Sequence, residues 1–156
     1  MGKLGVIWRS ADLLMAIDTA SVVEVVAPVS CRPVPDVPPW IRGLFVYRGA
    51  LTPLVDAASL LTGTPGVDRM ANRVLVLRVG GAVEWLFGLW VDCVLDVERF
   101  DVDSAGGHPG FATASGRFLG PVMLTRRGQV QLVKPEEIFT PEQVSILTQR
   151  LTEAAA

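Results

Sequence analysis

Residues 88–97 read GLWVDCVLDV, and residues 16–25 read AIDTASVVEV. The two stretches align without gaps at an offset of 72, and their apolar, small and acidic positions largely coincide. The Arg48-Gly49 and Arg127-Gly128 turns repeat as well, each with apolar residues two and five positions after its glycine. This similarity predicts a duplicated β-unit, with two barrels packed about an approximate two-fold, because closing each sheet removes its free edges.

Short valine-rich segments separated by 15 glycines and 11 prolines are typical of strands joined by tight turns. The Gly80-Gly81 pair is predicted to form one such turn, since both glycines tolerate positive φ. We therefore predict an all-β fold. Ten strands are expected, at residues 4–9, 13–17, 24–29, 43–47, 50–54, 73–79, 84–91, 94–97, 120–124 and 129–133.

Two short helices are predicted among these strands. Asp56 can cap a helix over residues 57–61, which Gly63 would stop. Thr140-Pro141 begins a C-terminal helix over residues 141–152, with apolar side chains along one face. Both helices are minor elements beside the sheets.

The segment 62–71 carries a glycine and proline cluster and is the predicted crossing between the two repeats. We predict one domain over residues 1–156, with approximate halves 1–63 and 72–140 and with room for strands exchanged between the barrels. Residues 103–116 are rich in small and polar side chains and are predicted to form a loop.

Composition excludes several classes of function. Of the 156 residues, 50% are hydrophobic and 19% charged, so a folded core with apolar surface left for partners is expected. The net charge of −2, without a run of like charge, argues against nucleic acid as a ligand. The apolar run at residues 82–91 is interrupted by Glu84 and falls short of the roughly 20 residues of a membrane span. With two cysteines and no signal-peptide pattern, a cytoplasmic protein without direct membrane insertion is expected.

Candidate catalytic and metal-binding groups are sparse. His108 is the only histidine, and Cys31 and Cys93 lie 62 positions apart, which does not supply a closed zinc site. No glycine-rich phosphate loop is present. Two alternatives stay open at this point: an enzyme that pairs Cys31 or Cys93 with His108, and a β-barrel that binds nucleic acid through a basic groove with aromatic platforms.

Arg48 is the candidate for a binding role that the residues themselves favour. It is predicted to lie in a turn between two very apolar strands, where a guanidinium can pair with a partner's carboxylate or backbone oxygens. An ordinary turn arginine is the alternative interpretation.

Three stretches resemble the sequence signatures of the CheW family. Residues 38–56, PPWIRGLFVYRGALTPLVD, are similar to an apolar strand, an Asn-Leu-Arg-Gly turn and a strand ending in aspartate, although Val46-Tyr47 replaces Asn-Leu. Residues 88–97 are similar to a second hallmark, and the blocks 118–120 and 127–133 take the place of the last one. The resemblance runs over essentially the whole chain.

The resemblance implies two five-stranded SH3-like barrels and a non-catalytic adaptor without cofactor or metal. Its implied partners are the cytoplasmic hairpin tip of a chemoreceptor and the regulatory domain of a CheA-type histidine kinase. The alternative is a stand-alone module that binds only the kinase, in a pilus, surface-sensing or cyclic-di-nucleotide pathway. Weak or no self-association of the isolated chain is expected. The implied partner-binding residues are Val22, Glu24, Gly43, Tyr47, Arg48 and Gly49.

Overall fold

The computed structural model describes residues 2–80, 84–100 and 117–155. Gly81, the predicted loop over residues 103–116 and His108 lie outside the described residues. The strands are β1 (Lys3–Ser10), β2 (Leu13–Asp18), β3 (Val22–Val26), β4 (Ile41–Tyr47), β5 (Ala50–Asp56), β6 (Arg73–Val79), β7 (Trp85–Val91), β8 (Cys93–Phe100), β9 (Leu119–Thr125) and β10 (Gly128–Val133). The α-helices are α1 (Ala57–Thr62) and α2 (Pro141–Ala155).

Each of the ten predicted strands has a counterpart, but the boundaries of the third and the eighth were wrong. The eighth was predicted at residues 94–97, whereas β8 runs over Cys93–Phe100. The sequence suggested residues 24–29, whereas β3 runs over Val22–Val26. Pro28 has no backbone N–H to donate to a neighbouring strand, so pairing with β6 ends before it. Two short 3₁₀ turns, Thr19–Ser21 and Pro135–Glu137, were not predicted.

Both helices begin where the sequence places them. The Asp56 carboxylate accepts a hydrogen bond from the Ser59 backbone N–H at 3.1 Å, and Gly63 ends α1 with a φ of +80°. Thr140 and Gln143 cap the start of α2 reciprocally, and this helix extends beyond the predicted residue 152 to Ala155. Within the part of the chain that the structure describes, neither helix is long and apolar enough to span a bilayer.

The strands form two five-stranded sheets. The first sheet has the order β8-β1-β2-β10-β9, and the second sheet has the order β3-β6-β7-β5-β4. The two orders are equivalent: adding five to each strand number of the first sheet, and counting on from β1 after β10, gives the order of the second. Each sheet has one parallel pair, β2 with β10 in the first and β5 with β7 in the second. The two similar sequence stretches therefore span equivalent strands of the two sheets. The all-β prediction is confirmed, with two five-stranded units.

Each sheet draws its strands from both halves of the chain. The first sheet joins β1 and β2 to the late strands β8, β9 and β10, while the second joins β3, β4 and β5 to β6 and β7. Neither half contains a whole sheet. The division into halves 1–63 and 72–140 therefore stays a proposal about the duplication of the sequence.

Three groups of buried side chains form the core of the protein. The largest lies between the sheets and includes Trp8 and Ile17 from the first sheet and Leu75 and Phe87 from the second. Alternate residues of the same strands point the other way, into a smaller core that each sheet encloses. The core of the first sheet contains Ile7, Ala16, Met123 and Val130. The core of the second sheet contains Phe45, Tyr47, Leu54, Val74, Val76 and Trp90.

Candidate partner-binding surface

The turn between β4 and β5 presents Arg48 to solvent. Arg48 and Gly49 have φ values of +48° and +79°, and Tyr47 pairs with Ala50 at the end of the hairpin. Two positive φ values in a two-residue loop are typical of a type I′ turn, which matches the twist of the flanking strands. Glycine adopts this conformation readily, whereas arginine does so at a cost. Strained residues of this kind cluster at functional sites.

A cluster of three polar side chains joins the two edges of the second sheet. Glu24 lies on β3 at one edge, whereas Tyr47 ends β4 at the other. The Tyr47 hydroxyl donates a hydrogen bond to Glu24 Oε2 at 2.5 Å, and Arg48 Nη2 donates to the same oxygen at 3.3 Å. The sheet thus curls until its first and last strands meet through side chains, consistent with an SH3-like barrel. We call Glu24, Tyr47 and Arg48 the edge cluster.

Burial and charge shape the chemistry of the edge cluster. Tyr47 as a whole is only 8% exposed, and the guanidinium carbon of Arg48 lies 5.1 Å from the centre of its ring. The hydrogen bond to the Glu24 carboxylate, followed by burial, raises the pKa of the Tyr47 phenol above its ordinary value of 10.0, and Arg48 opposes the rise. The phenol is therefore a neutral donor throughout the physiological pH range.

The surroundings of Arg48 combine charge with apolar area. The Arg48 side chain is 69% exposed, Val46 on β4 is 67% exposed, and Val25 beside Glu24 is also exposed. An arginine flanked by apolar side chains is the composition that protein interfaces favour at their centres. This surface can bind a carboxylate or carbonyl oxygen while burying apolar area around it.

The other three predicted site residues, Gly49, Gly43 and Val22, differ in how far they are exposed. Gly49 completes the turn, and open space surrounds the position of its missing side chain. Gly43 is buried, with a φ of +145°, and a Cβ there would collide with the Arg32 carbonyl oxygen. Val22 is half-buried and packs against the core between the sheets. Contact of these residues with a partner stays a prediction, and Gly43 and Val22 could act on it only from beneath the surface.

A second edge contact, in the first sheet, was not predicted from the sequence. Arg127, in the turn between β9 and β10, donates through Nε to Glu98 at 3.1 Å and through Nη2 to Asp96 at 3.2 Å. Both acids lie on β8, the opposite edge. Asp96 and Glu24 are 72 positions apart, the same offset as the repeat, so the alignment contained a signal for this pair.

The base of the β4–β5 hairpin holds a buried ion pair that the sequence did not single out. The Asp56 carboxylate is 2% exposed and accepts hydrogen bonds from Arg42 Nε at 3.0 Å and from the Gly66 N–H at 3.0 Å. The Arg42 guanidinium stacks on Trp90 at 3.7 Å and donates to the Gly66 carbonyl. This network fastens the segment between α1 and β6 to the second sheet.

The two cysteines are each half-buried. The Cys31 thiol donates to the Arg42 carbonyl at 3.5 Å, and Cys93 begins β8. Across residues 2–80, 84–100 and 117–155, no three histidine, cysteine, aspartate or glutamate side chains come close enough to hold a metal ion. His108 lies outside the described residues, so its predicted pairing with a cysteine stays a hypothesis.

Two five-stranded sheets with one pairing scheme, packed across a shared core, make a double-barrel protein of the all-β class. Residues 5–143 match the family model of the CheW-like domain, and the chain belongs to that family. The resemblance found in the sequence is thereby confirmed. Proteins of this family are non-catalytic scaffolds of chemotaxis-type signalling, which couple to a kinase and to receptors.

Individual relatives agree with this assignment. The chain is 24% identical over 143 residues to the Chemotaxis protein CheW of Rhizobium meliloti (strain 1021), across 91% of this chain and 90% of that protein. It is 29% identical over 116 residues to Protein FrzA of Myxococcus xanthus, across 74% and 71% of the two chains. The crystal structure of scaffolding protein TtCheW from Thermoanaerobacter tengcongensis aligns with a TM-score of 0.77 at 26% identity, across 89% of this chain and 93% of that one.

Proposed function

We propose that this chain is a non-catalytic cytoplasmic adaptor that couples a chemoreceptor to a CheA-type histidine kinase in a chemosensory array. The observation that carries the proposal is the exposed guanidinium of Arg48, presented by a strained turn beside the apolar side chain of Val46. Membership of the CheW-like family supports the class of partner. Neither partner is expected to be chemically changed by the chain.

In this proposal Arg48 is the anchor of the contact, and the other site residues support it. Glu24 and Tyr47 hold the guanidinium at the edge of the sheet, while Gly49 permits the turn. Val22 and Gly43 maintain the strands beneath. A partner that places a carboxylate between apolar side chains matches the charge and the apolar character of this surface.

Binding measurements with the two partners separately test this function. Arg48→Ala should weaken binding of the kinase regulatory domain, the receptor hairpin tip, or both, by about 1–3 kcal/mol, as expected for an interface anchor. Arg150→Ala is the matched control, since Arg150 is a solvent-accessible arginine in α2 with its own ion pairs and alanine favours a helix. Unchanged affinity of Arg48→Ala for both partners would refute the assignment. Binding of the kinase domain without receptor binding would instead identify a kinase-only module.

Two further properties belong to the same proposal. The isolated chain should be mainly monomeric at micromolar concentration, because contacts of transient size need a partner's additional surface to persist. Sedimentation velocity measures this, and a dimer at nanomolar concentration that covers Arg48 would contradict it. No cofactor, metal or thiol chemistry is invoked, so Cys31→Ser and Cys93→Ser should keep their binding of both partners.

A further inference from the structure

We propose that Tyr47 is a positioning residue for docking: its hydroxyl holds Glu24 while its ring supports the guanidinium of Arg48, which leaves that arginine available to a partner. The inference deepens the proposed function and rests on it. Three independent features of the edge cluster support it: a shared acceptor oxygen, an immobile ring, and the contrast with the equivalent hairpin of the first sheet.

The first feature is the sharing of one carboxylate oxygen. Glu24 Oε2 is 2.5 Å from the Tyr47 hydroxyl and 3.3 Å from Arg48 Nη2. The hydroxyl is the nearer of the two donors, and hydrogen bonds from a hydroxyl to a carboxylate are characteristically short. Among the described residues, the contact with Glu24 is the one ion pair of Arg48, and its side chain is 69% exposed. The phenol therefore satisfies the acid, and most of the donor capacity of the arginine stays available.

The second feature is the rigidity of the ring. Tyr47 is buried in the core of the second sheet, 6.4 Å from the Phe45 ring, so packing fixes its orientation. The Arg48 guanidinium lies within cation–π distance of this ring, at 5.1 Å. A long side chain that is already held in one region loses less rotamer entropy on binding. The ring thus lowers the entropic cost of docking through Arg48.

The third feature is a contrast with the β9–β10 hairpin, which has no tyrosine before its turn. Thr125 precedes the β9–β10 turn as Tyr47 precedes the β4–β5 turn, since Thr125 pairs with Gly128 and Tyr47 with Ala50. The Thr125 hydroxyl stays within its own turn, where it donates to the Gly128 carbonyl and accepts from the Arg127 N–H. Arg127 binds two carboxylates directly. In this hairpin no phenol takes part, and a turn arginine at the position of Gly49 makes the closing contact itself.

The chain contains a single tyrosine, so the ultraviolet absorbance of the phenolate reports on Tyr47 alone. We expect the alkaline titration midpoint to fall in Glu24→Ala, which removes the anionic acceptor, and to rise further in Arg48→Met, which removes the cation. Circular dichroism at each pH monitors the fold. A midpoint that does not move in Glu24→Ala would overturn the proposed contact without any reference to partner binding.

Binding measurements then test the positioning role, with the kinase regulatory domain and the receptor hairpin tip as probes. Tyr47→Phe keeps the ring and should leave the unfolding midpoint nearly unchanged, yet weaken docking about 3- to 10-fold through the lost order of Glu24 and Arg48. In an Arg48→Ala background, Tyr47→Phe should have no further effect. Equal weakening in both backgrounds would overturn the positioning role. If neither probe binds the wild-type chain, the proposed function fails, while the phenol titration still decides whether the edge cluster exists.

Discussion

The β4–β5 and β9–β10 hairpins occupy equivalent places in the two sheets, yet their turn arginines do different things. Arg127 is 37% exposed and binds two carboxylates of the facing edge. Arg48 is 69% exposed and shares one carboxylate oxygen with a phenol. Both hairpins also expose an apolar side chain next to the turn, Val46 in one and Leu124 in the other. The strand register aligns Arg48 with Arg126 and Gly49 with Arg127, so the two arginines that reach the facing edge come from different positions of equivalent turns. One of them closes its sheet, whereas the other stays exposed to a partner.

Substitutions at the bases of the two hairpins should differ most in their effect on the free energy of unfolding. The Asp56 N–H donates to the Trp40 carbonyl, and the Lys134 N–H donates to the Phe118 carbonyl, so Asp56 and Lys134 are equivalent. Asp56→Ala should lower the free energy of unfolding by about 3–5 kcal/mol, because it leaves the partly buried Arg42 without its acid. Lys134 is exposed, and Lys134→Ala should change stability by at most about 0.5 kcal/mol. Urea unfolding measures both, and equal losses would end the distinction.

The turn arginines should separate binding from stability. Arg48→Ala should cost about 1–3 kcal/mol of docking free energy with little loss of stability. Arg127→Ala should leave docking unchanged and cost about 1 kcal/mol or less of unfolding free energy, since its ion pairs are partly exposed. Isothermal titration calorimetry and urea unfolding on the same preparations test both halves. A docking loss of similar size in Arg127→Ala would mean that the edge contacts of both sheets bind partners.

Backbone strain offers a subtler contrast. The positive φ of the β4–β5 turn includes Arg48, whereas in the β9–β10 turn it falls on Gly128, at +104°. Asparagine tolerates the left-handed region better than arginine, so Arg48→Asn should stabilise the fold by about 0.5 kcal/mol while abolishing the anchor. Chemical unfolding measures the expected gain in stability, and a binding measurement with the partner measures the expected loss of affinity. A destabilised Arg48→Asn would show that the arginine serves the fold rather than docking.

The smallest effect concerns alkaline pH. The hydrogen bond to Glu24 raises the pKa of Tyr47 in the folded chain above 10.0, so the folded state binds the proton more tightly than the unfolded state. This contribution is fully present below pH 10 and is lost as the pH rises through the folded pKa. The unfolding free energy of the wild type should therefore fall relative to that of Tyr47→Phe as the pH rises above 10. A difference that stays constant to higher pH would contradict the contact.

The elements could be predicted from sequence better than their connections. Apolar periodicity and glycine turns located the ten strands, and the largest boundary errors are at the ends of β3 and β8. The pairing of β1 with β8 and of β5 with β7 joins residues far apart in sequence, and local patterns carry no information about such contacts.

The candidate site was predicted as a set of residues and not as a geometry. Arg48 was named from its turn as well as from the resemblance, and Glu24 from the resemblance. The contact between them depends on the curl of the second sheet, which brings β3 to β4. The role of the Tyr47 hydroxyl could not be anticipated, because an aromatic residue in an apolar strand ordinarily signals a buried ring. Here one end of the side chain is buried while the other binds the acid.

The exchange of strands between the halves has a consequence for how the chain folds during synthesis. Lys3 pairs with Phe100, and Met15 pairs with Gln131, so the first sheet cannot form until β10 has left the ribosome. The second sheet, made of the consecutive strands β3 to β7, can assemble earlier and give β1 and β2 an apolar face to rest on. Folding dominated by such distant pairings is slow, on the order of milliseconds to seconds. The nascent chain should thus acquire its docking face before its other sheet is complete.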